Sequence, residues 1–397
     1  MSKFFAKEPK SPPPLDGVRV LDLSRVLAGP WSTMTLADLG AEVIKIENPD
    51  GGDDTRHWGP PFIEGESAYF LCTNRNKKSV TADLSAPEGR RVVLELAKSA
   101  DVLVENFKLG GLDRFGLDYE SVSEINPGIV YCSISGYGRN SPLAARPGYD
   151  YVIQAEGGLM AVTGPEDGEP SKVGVAVADL FSGMNATQAI LAALLARARD
   201  GKGQHIDIAL YDSQLAMLAN VASAYLVAGC EPKRYGNAHP TVVPYQTFSA
   251  SDGVIVVAVG NDRQFLELCK VLNQPDAADN PRFKTNAQRV VNREEVVEFL
   301  RPLLALQSRE YWLEKMQVAG VPCAAVRSIG EALEAPETAA REMVSKVMHE
   351  MAGEIRLVSS PLKFGRTPVV TPQAPPTLGQ HTDEVLSTLR FDDTTDD

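Results

Sequence analysis

A lone carboxylate in an apolar setting is the first group here with chemistry to offer. Asp179 follows the run Val-Gly-Val-Ala-Val-Ala (173–178) and precedes Leu-Phe-Ser-Gly-Met (180–184). Small and β-branched residues lead into it, and a helical pattern of Leu180, Met184, Ile190, Leu191, Leu194 and Leu195 leads away. The spacing predicts a strand-to-helix junction. A carboxylate held there has two readings, a covalent nucleophile or a helix N-cap. They are compatible, because helix N–H donors would also keep the carboxylate ionised. Cations form the second candidate group. Arg75, Lys77, Lys78 and Arg114 are positioned to contact phosphates, and Phe107 to stack on a base; for each, a solvated charge or a core ring is the plainer explanation. Tyr149 and Asp150 line a site beside Asp179 or form a turn.

These residues need a scaffold, and the pattern around them supplies an alternating one. Residues 17–23 read as a strand, Ala28-Gly-Pro30 as a turn, 31–39 as a short helix and 41–46 as a second strand followed by Glu47. This is a βαβ unit with an acidic residue after its second strand, as in dinucleotide-binding folds. The turn carries no Gly-x-Gly-x-x-Gly, so a nicotinamide or flavin nucleotide is poorly supported. Further strands are expected at 80–84, 102–106, 128–134 and 206–210. A helix capped by Ser85 runs to about 99, and a long one from Asp179 to about 199. Alternation of this kind gives a mainly parallel α/β sheet. The character changes after about 230, where 247–259 reads as a hairpin around Ser251-Asp-Gly253 and helices follow near 262–272, 293–306 and 309–318. The expected organisation is a large Rossmann-like domain from 1–225 and 330–397 with a smaller α+β domain, 230–325, inserted in it.

Composition narrows the function. A net charge of −13 argues against general nucleic-acid binding. The five cysteines, at 72, 132, 230, 269 and 323, are scattered and odd in number, and the five histidines are equally dispersed. A disulfide framework and a metal are not expected, and a reducing, cytoplasmic compartment is. No apolar run approaches a membrane span. The lead-in to Asp16, with its Ser11-Pro-Pro-Pro14 stretch, does not read as a transit peptide. The acidic tail from Asp392 reads as a solvated end.

Four segments join Asp179 in a recognisable order: Leu23-Ser-Arg-Val-Leu-Ala-Gly-Pro30, Asn74-Arg-Asn-Lys-Lys-Ser79, Val104-Glu-Asn-Phe107 leading into Leu112-Asp-Arg-Phe-Gly116, and Gly148-Tyr-Asp-Tyr151 leading into Gln154-Ala-Glu-Gly-Gly158. With Leu378-Gly-Gln-His-Thr382, they make the chain resemble the class III CoA-transferase family from about Leu15 to His381. The resemblance implies that Asp179 is the family's nucleophile and that coenzyme A enters as an acyl-CoA substrate. It also implies that Leu27, Ala28, Asn48, Ala82, Asp83, Leu84, Ser85, Asn106, Phe107 and Arg114 fall on CoA-contacting positions. Gly148, Tyr149 and Asp150 would flank the active site, and two chains would form an interlocked homodimer. Leu27 replaces a glutamine, and Asn48 an arginine, of the formyl-CoA transferases. The region Tyr235 to Gln246 lacks their glycine-rich loop. These departures, and the Asp53 to Pro61 segment, look more like the glutarate (succinyl-CoA-dependent) members. A dicarboxylate acceptor would then find its distal partner among Arg56, His57, His239, Tyr245 and Gln246.

The implied chemistry passes through an aspartyl-CoA thioester. Two rivals remain at this level. An α-methylacyl-CoA racemase shares the fold but needs an acid–base pair, and the resembling racemases carry histidine where this chain has Tyr149. A non-catalytic CoA-binding protein would have no use for a carboxylate at Asp179.

Overall fold

The computed structural model describes residues 11–391. The lead-in before Ser11 and the acidic tail from Asp392 lie outside the described residues. The chain divides into two compact units: one runs up to Leu159 and includes Val173–Ala228 and the chain from Pro336, and the other comprises Met160–Lys172 and Gly229–Ala335.

The first unit is built on six parallel strands: β1 (Arg19–Asp22), β2 (Glu42–Glu47), β3 (Lys77–Thr81), β4 (Val102–Glu105), β5 (Val130–Ser135) and β6 (Gln204–Ala209). Their order across the sheet is β3-β2-β1-β4-β5-β6. Both faces are covered, which is why these strands are runs of Val, Ile and Leu rather than alternations with polar residues. Val20 and Val104 point into a core with α1 (Ala28–Asp38) and α5 (Val177–Asp200). Leu21, Ile44 and Leu103 point into the opposite core, which includes Val93 and Leu96 of α2 (Pro87–Ser99) and Val122 of α3 (Tyr119–Ile125). The strand order reverses between β1 and β4, and a crevice opens at such a point beyond the carboxyl ends of the strands.

Two glycines set how closely the elements around that crevice approach. Gly183 is the seventh residue of α5, and a Cβ there would meet the carbonyl oxygen of Ala28 at 2.6 Å. Only a bare Cα lets α5 press against the start of α1. Gly136, just past β5, faces Gly148, and a Cβ on it would sit 2.7 Å from the Gly148 Cα. The loop before α4 (Asp150–Glu156) is thereby drawn onto the end of β5.

Several boundaries differ from expectation. The strand expected at 80–84 is Lys77–Thr81, so Ala82 to Ser85 form the loop beyond its carboxyl end. The cap of α2 is Ala86, and Ser85 instead donates through its N–H and Oγ to Asp83 Oδ1 at 2.8 and 2.7 Å. No strand forms before Asp179; residues 171–176 are irregular. After the terminal Pro-rich stretch, the backbone N–H of His381 donates to Ser79 O and Thr382 Oγ1 accepts from the Thr81 N–H. These bonds satisfy the outer edge of β3, which would otherwise present unpaired backbone groups.

Two further helices, α6 (Leu210–Met217) and α7 (Ala219–Ala228), follow β6 in the first unit. The second unit holds an antiparallel sheet, ordered β9-β8-β7, of β7 (Tyr245–Ala250), β8 (Gly253–Ala258) and β9 (Cys323–Ala325). The hairpin between β7 and β8 lies where the Ser-Asp-Gly turn predicts it. Helices Asp262–Val271, Arg293–Leu304 and Arg309–Val318 pack with it around Ile255, Val257, Phe265, Leu300 and Trp312.

Candidate active site

Asp179 is the third residue of α5, not its cap. The N-cap position is Ala176, which has no side chain to offer, and the capping oxygen comes from a distant segment. Asp150 Oδ1 accepts from the backbone N–H of Ala178 at 2.8 Å and from that of Asp179 at 3.4 Å. Its other oxygen accepts from Gln154 Nε2 at 2.7 Å, and Gln154 Oε1 accepts from the Val173 N–H at 2.9 Å. Asp150 and Gln154, one turn apart on α4, therefore brace the irregular lead-in and the first turn of α5 together.

This arrangement reverses one expectation about charge. The helix terminus was expected to hold Asp179 ionised. Instead burial, then the neighbouring negative charge of Asp150, pushes its carboxyl up to about 7. The helix N–H groups that would have favoured ionisation are already taken by Asp150. The charge of Asp179 is felt across the site: burial, then Asp179, raises the Tyr69 phenol to about 12.

Asp179 lines a cavity of about 210 Å³. Leu27 comes to it from the loop after β1 and Ala28 from the start of α1, Asn106 and Phe107 from the end of β4, and Gly148 and Tyr149 from the loop drawn in by Gly136. A second cavity, of about 350 Å³, opens beyond the ends of β2 and β3 and is lined by Asn48, Ala82 to Ser85 and Arg114. Arg25, Asp54 and Phe107 line both. The two therefore meet in a groove along the carboxyl edge of the sheet, spanning the reversal point between β1 and β4. Asp150 does not line either cavity; it stands behind Asp179.

The floor of this groove is a buried lattice of opposite charges. Lys45 Nζ, fully buried, reaches Asp53 Oδ2 at 2.9 Å and donates to Ser24 O at 2.7 Å. Lys77 Nζ sits 3.0 Å from Asp22 Oδ2. Burial alone would raise the Asp22 carboxyl, but Lys77, Lys45 and hydrogen bonds from Ser24 and Thr33 bring it down to about 2. Burial likewise takes Lys77 down to about 8 despite Asp22. This lattice fixes the loops: Asp53 also accepts from the Val26 N–H, at 3.2 Å from Oδ1. Asn106 clamps the same loop, accepting from Arg25 N–H at 2.9 Å and donating to Arg25 O at 2.7 Å. Val26 is held at a φ of +71°, costly for a β-branched residue and tolerated where surroundings over-determine the turn.

The expected cationic cluster is a correction. Arg75 pairs through two nitrogens with Asp38, Lys77 with Asp22, and Lys78 with Glu42 and Glu384. Arg75 precedes β3 and Lys77 and Lys78 begin it; Lys77 reaches beneath the groove to Asp22, and none of the three lines either cavity. Of the expected cations, Arg114 does reach the groove. Arg56 is also already engaged, since its Nε and Nη2 donate to the two oxygens of Glu47 at 2.8 and 2.7 Å. His57 is exposed and its Nε2 lies 3.0 Å from Gly51 O. His239, Tyr245 and Gln246 belong to the second unit, where His239 packs on Tyr245 with ring centroids 5.2 Å apart. Sequence reasoning missed Arg25, Lys45 and Asp53. Arg25 sits within the quoted turn after β1, and a charged residue at the carboxyl end of a parallel strand was the available signal.

The family model of CoA-transferase family III matches residues 15–382. The chain belongs to CoA-transferase family III. Among curated relatives, it is 46% identical to a succinyl-CoA:glutarate CoA-transferase of Mus musculus, covering 96% of this chain and 87% of that one. It is also 46% identical to a succinate–glutarate CoA-transferase of Agrobacterium fabrum (strain C58), covering 96% and 97%. A solved structure of a CaiB/BaiF family protein from Brucella suis superposes with a TM-score of 0.87 at 46% identity, covering 96% of this chain and all of that one. The protein is thus a class III CoA-transferase with the mixed α/β fold of its family, and acyl-CoA and carboxylic acids are its classes of substrate. Among the described residues, no helix is long and apolar enough to cross a membrane.

Proposed function

We propose that the protein moves CoA from succinyl-CoA to a dicarboxylate such as glutarate through a covalent intermediate on Asp179. The observation that carries this reading is the half-buried Asp179 carboxylate in a cavity that shares Arg25, Asp54 and Phe107 with a second, larger cavity along the carboxyl edge of the sheet. Support for the substrates comes from relatives at 45–46% identity named for succinyl-CoA, succinate and glutarate.

In the first step, the ionised Asp179 carboxylate attacks the thioester carbonyl. The C–S bond breaks, CoA leaves as thiolate, and a mixed anhydride remains on Asp179. The thiolate then attacks the aspartyl carbonyl, which releases the donor acid as carboxylate and leaves an aspartyl-CoA thioester. The acceptor carboxylate attacks that thioester and the steps run in reverse, regenerating Asp179. Each activated state conserves the thioester energy only if water is kept away. The apolar walls from Leu27, Ala28 and Leu210 serve that exclusion. Leu27, Ala28, Asn106, Phe107, Gly148 and Tyr149 hold the acyl and pantetheine end. Asn48, Ala82, Asp83, Leu84, Ser85 and Arg114 hold the nucleotide end, and Asp150 positions the nucleophile.

A distal acceptor carboxylate needs a hydrogen-bonding or cationic partner. Arg56 is committed to Glu47, which leaves His57 among the candidates of the first unit for that role. The working assembly is a homodimer. Its support is α7, an Ala-Asn-Val-Ala-Ser-Ala-Tyr-Leu-Val-Ala helix without a buried residue, on which Leu226 and Val227 are 79% and 84% exposed. The cytoplasm suits a chain whose five cysteines are scattered and odd in number. Incubation of the protein with succinyl-CoA and glutarate, followed by mass spectrometry of the CoA esters, tests the reading. Glutaryl-CoA with release of succinate is expected. Deuterium uptake at the α-carbon of a branched acyl-CoA, with no transfer, would replace it with racemisation.

A further inference from the structure

Arg25 stands where the two cavities meet. It lines both, its guanidinium lies 5.4 Å from the Phe107 ring centroid, and its Nη1 is 3.2 Å from Asp54 Oδ2. The side chain is about half exposed, at 47%, and its partner is equally open at 53%. The backbone beneath it is by contrast tightly fixed. Asn106 holds its N–H and its carbonyl, and Asp53, anchored on buried Lys45, holds the next N–H at the strained Val26. A loop braced by Asn106 and Asp53 and held in a costly conformation presents one half-exposed cation into the middle of the groove.

An exposed ion pair of this kind contributes little to stability, so stability does not explain the bracing. A CoA ester placed with its nucleotide in the larger cavity and its thioester at Asp179 runs its diphosphate through the junction. A guanidinium matches diphosphate oxygens with a fork of donors, and a carboxylate at the same place repels them. We infer that Arg25 is a binding residue for the diphosphate of the CoA ester, and that Asp54 is an internal anion which the diphosphate displaces from it. This rests on the CoA-transferase reading and deepens it: Asp54 keeps Arg25 extended over the groove in the free protein and is exchanged for the ligand when CoA enters.

Calorimetric binding of CoA, dephospho-CoA and pantetheine to the wild-type protein and to Arg25→Ala, Arg25→Lys and Asp54→Asn tests it without any turnover. Arg25→Ala is expected to weaken CoA and dephospho-CoA equally, by about 10-fold or more, and to leave pantetheine unchanged. Arg25→Lys should recover part of the loss. Asp54→Asn should tighten CoA several-fold, because the competing anion is gone. Loss for CoA but not for dephospho-CoA would assign Arg25 to the 3′-phosphate and overturn the diphosphate assignment. An equal loss for pantetheine would reduce Arg25 to a structural part of the loop, and weaker CoA binding by Asp54→Asn would overturn the exchange. If the wild-type protein binds no CoA at all, the underlying reading fails rather than this inference alone.

Discussion

Asp150 caps the helix that carries Asp179, and in doing so places a second carboxylate beside it. The same Oδ1 takes the N–H groups of Ala178 and Asp179, at 2.8 and 3.4 Å. One residue thus orients the nucleophile, occupies the donors that would have stabilised its charge, and adds a like charge that opposes its ionisation. The cap explains why no Ser, Thr or Asn is needed at Ala176.

Replacing Asp150 separates these effects. Asp150→Ala removes the cap and is expected to cost about 1 kcal/mol in urea unfolding. Asp150→Asn keeps an acceptor oxygen and loses only the charge, so it should be milder in stability. It should also move the acidic limb of the kcat/KM profile to lower pH, because Asp179 then ionises more readily. An unmoved limb in Asp150→Asn would show that burial alone sets the Asp179 carboxyl.

The pH dependence follows from the direction of the shift. Asp179 must be ionised to attack, so kcat/KM of the free enzyme should rise with pH through about 7. Stability runs the other way. The folded state holds this proton up to about 7 and the unfolded chain releases it near 3.8. Folding therefore loses stability as pH rises between those values, and the penalty is complete above the upper one. Asp179→Asn removes the penalty: its Tm should match the wild type near pH 4 and exceed it near pH 8, roughly the two ends of that window. A constant Tm difference across that range would mean that Asp179 titrates normally.

The buried lattice under the groove makes a stability prediction. Lys45→Met leaves the Asp53 carboxylate without its partner in a site closed to water, and such a loss costs about 3–5 kcal/mol. Urea denaturation reads it directly. A change below about 1 kcal/mol, the scale of surface pairs, would show that Asp53 finds another partner.

Much of the sheet was legible because parallel strands buried on both faces are long apolar runs, and the helix from 177 to 200 because its apolar period is sustained. What failed is instructive in each case. Residues 173–178 read as a strand since Val alternates with Gly and Ala there, yet among the described residues no strand pairs with them. Their backbone is satisfied instead by side chains of Gln154 and Asp150, a tertiary fact invisible to a local pattern. Arg75, Lys77 and Lys78 read as free cations because their partners, Asp38, Asp22, Glu42 and Glu384, are far away in sequence. Asp179 was legible as a lone carboxylate at the start of a long apolar helix, and the turn at Leu27 because it sits just beyond the end of β1, where side chains turn towards ligands. Arg25 was passed over in that same turn.

Acceptor choice can be read by deleting one end of the substrate. Glutarate and valerate have equal length and differ in the distal carboxylate. A polar partner for that group predicts a loss for valerate on the order of 100-fold in kcat/KM, because the partner is left unpaired. Equal rates would indicate an apolar pocket and remove the dicarboxylate preference while leaving CoA transfer intact.

The central claim, a covalent intermediate on Asp179, is tested most directly by intact-protein and peptide mass spectrometry after brief exposure to succinyl-CoA without acceptor and denaturation in acid. The account predicts an added mass equal to CoA less one water, located on the peptide containing Asp179 and absent from Asp179→Ala, which also loses transfer while remaining folded. Transfer at near-normal rate by Asp179→Ala, or an adduct on a different residue, would contradict it.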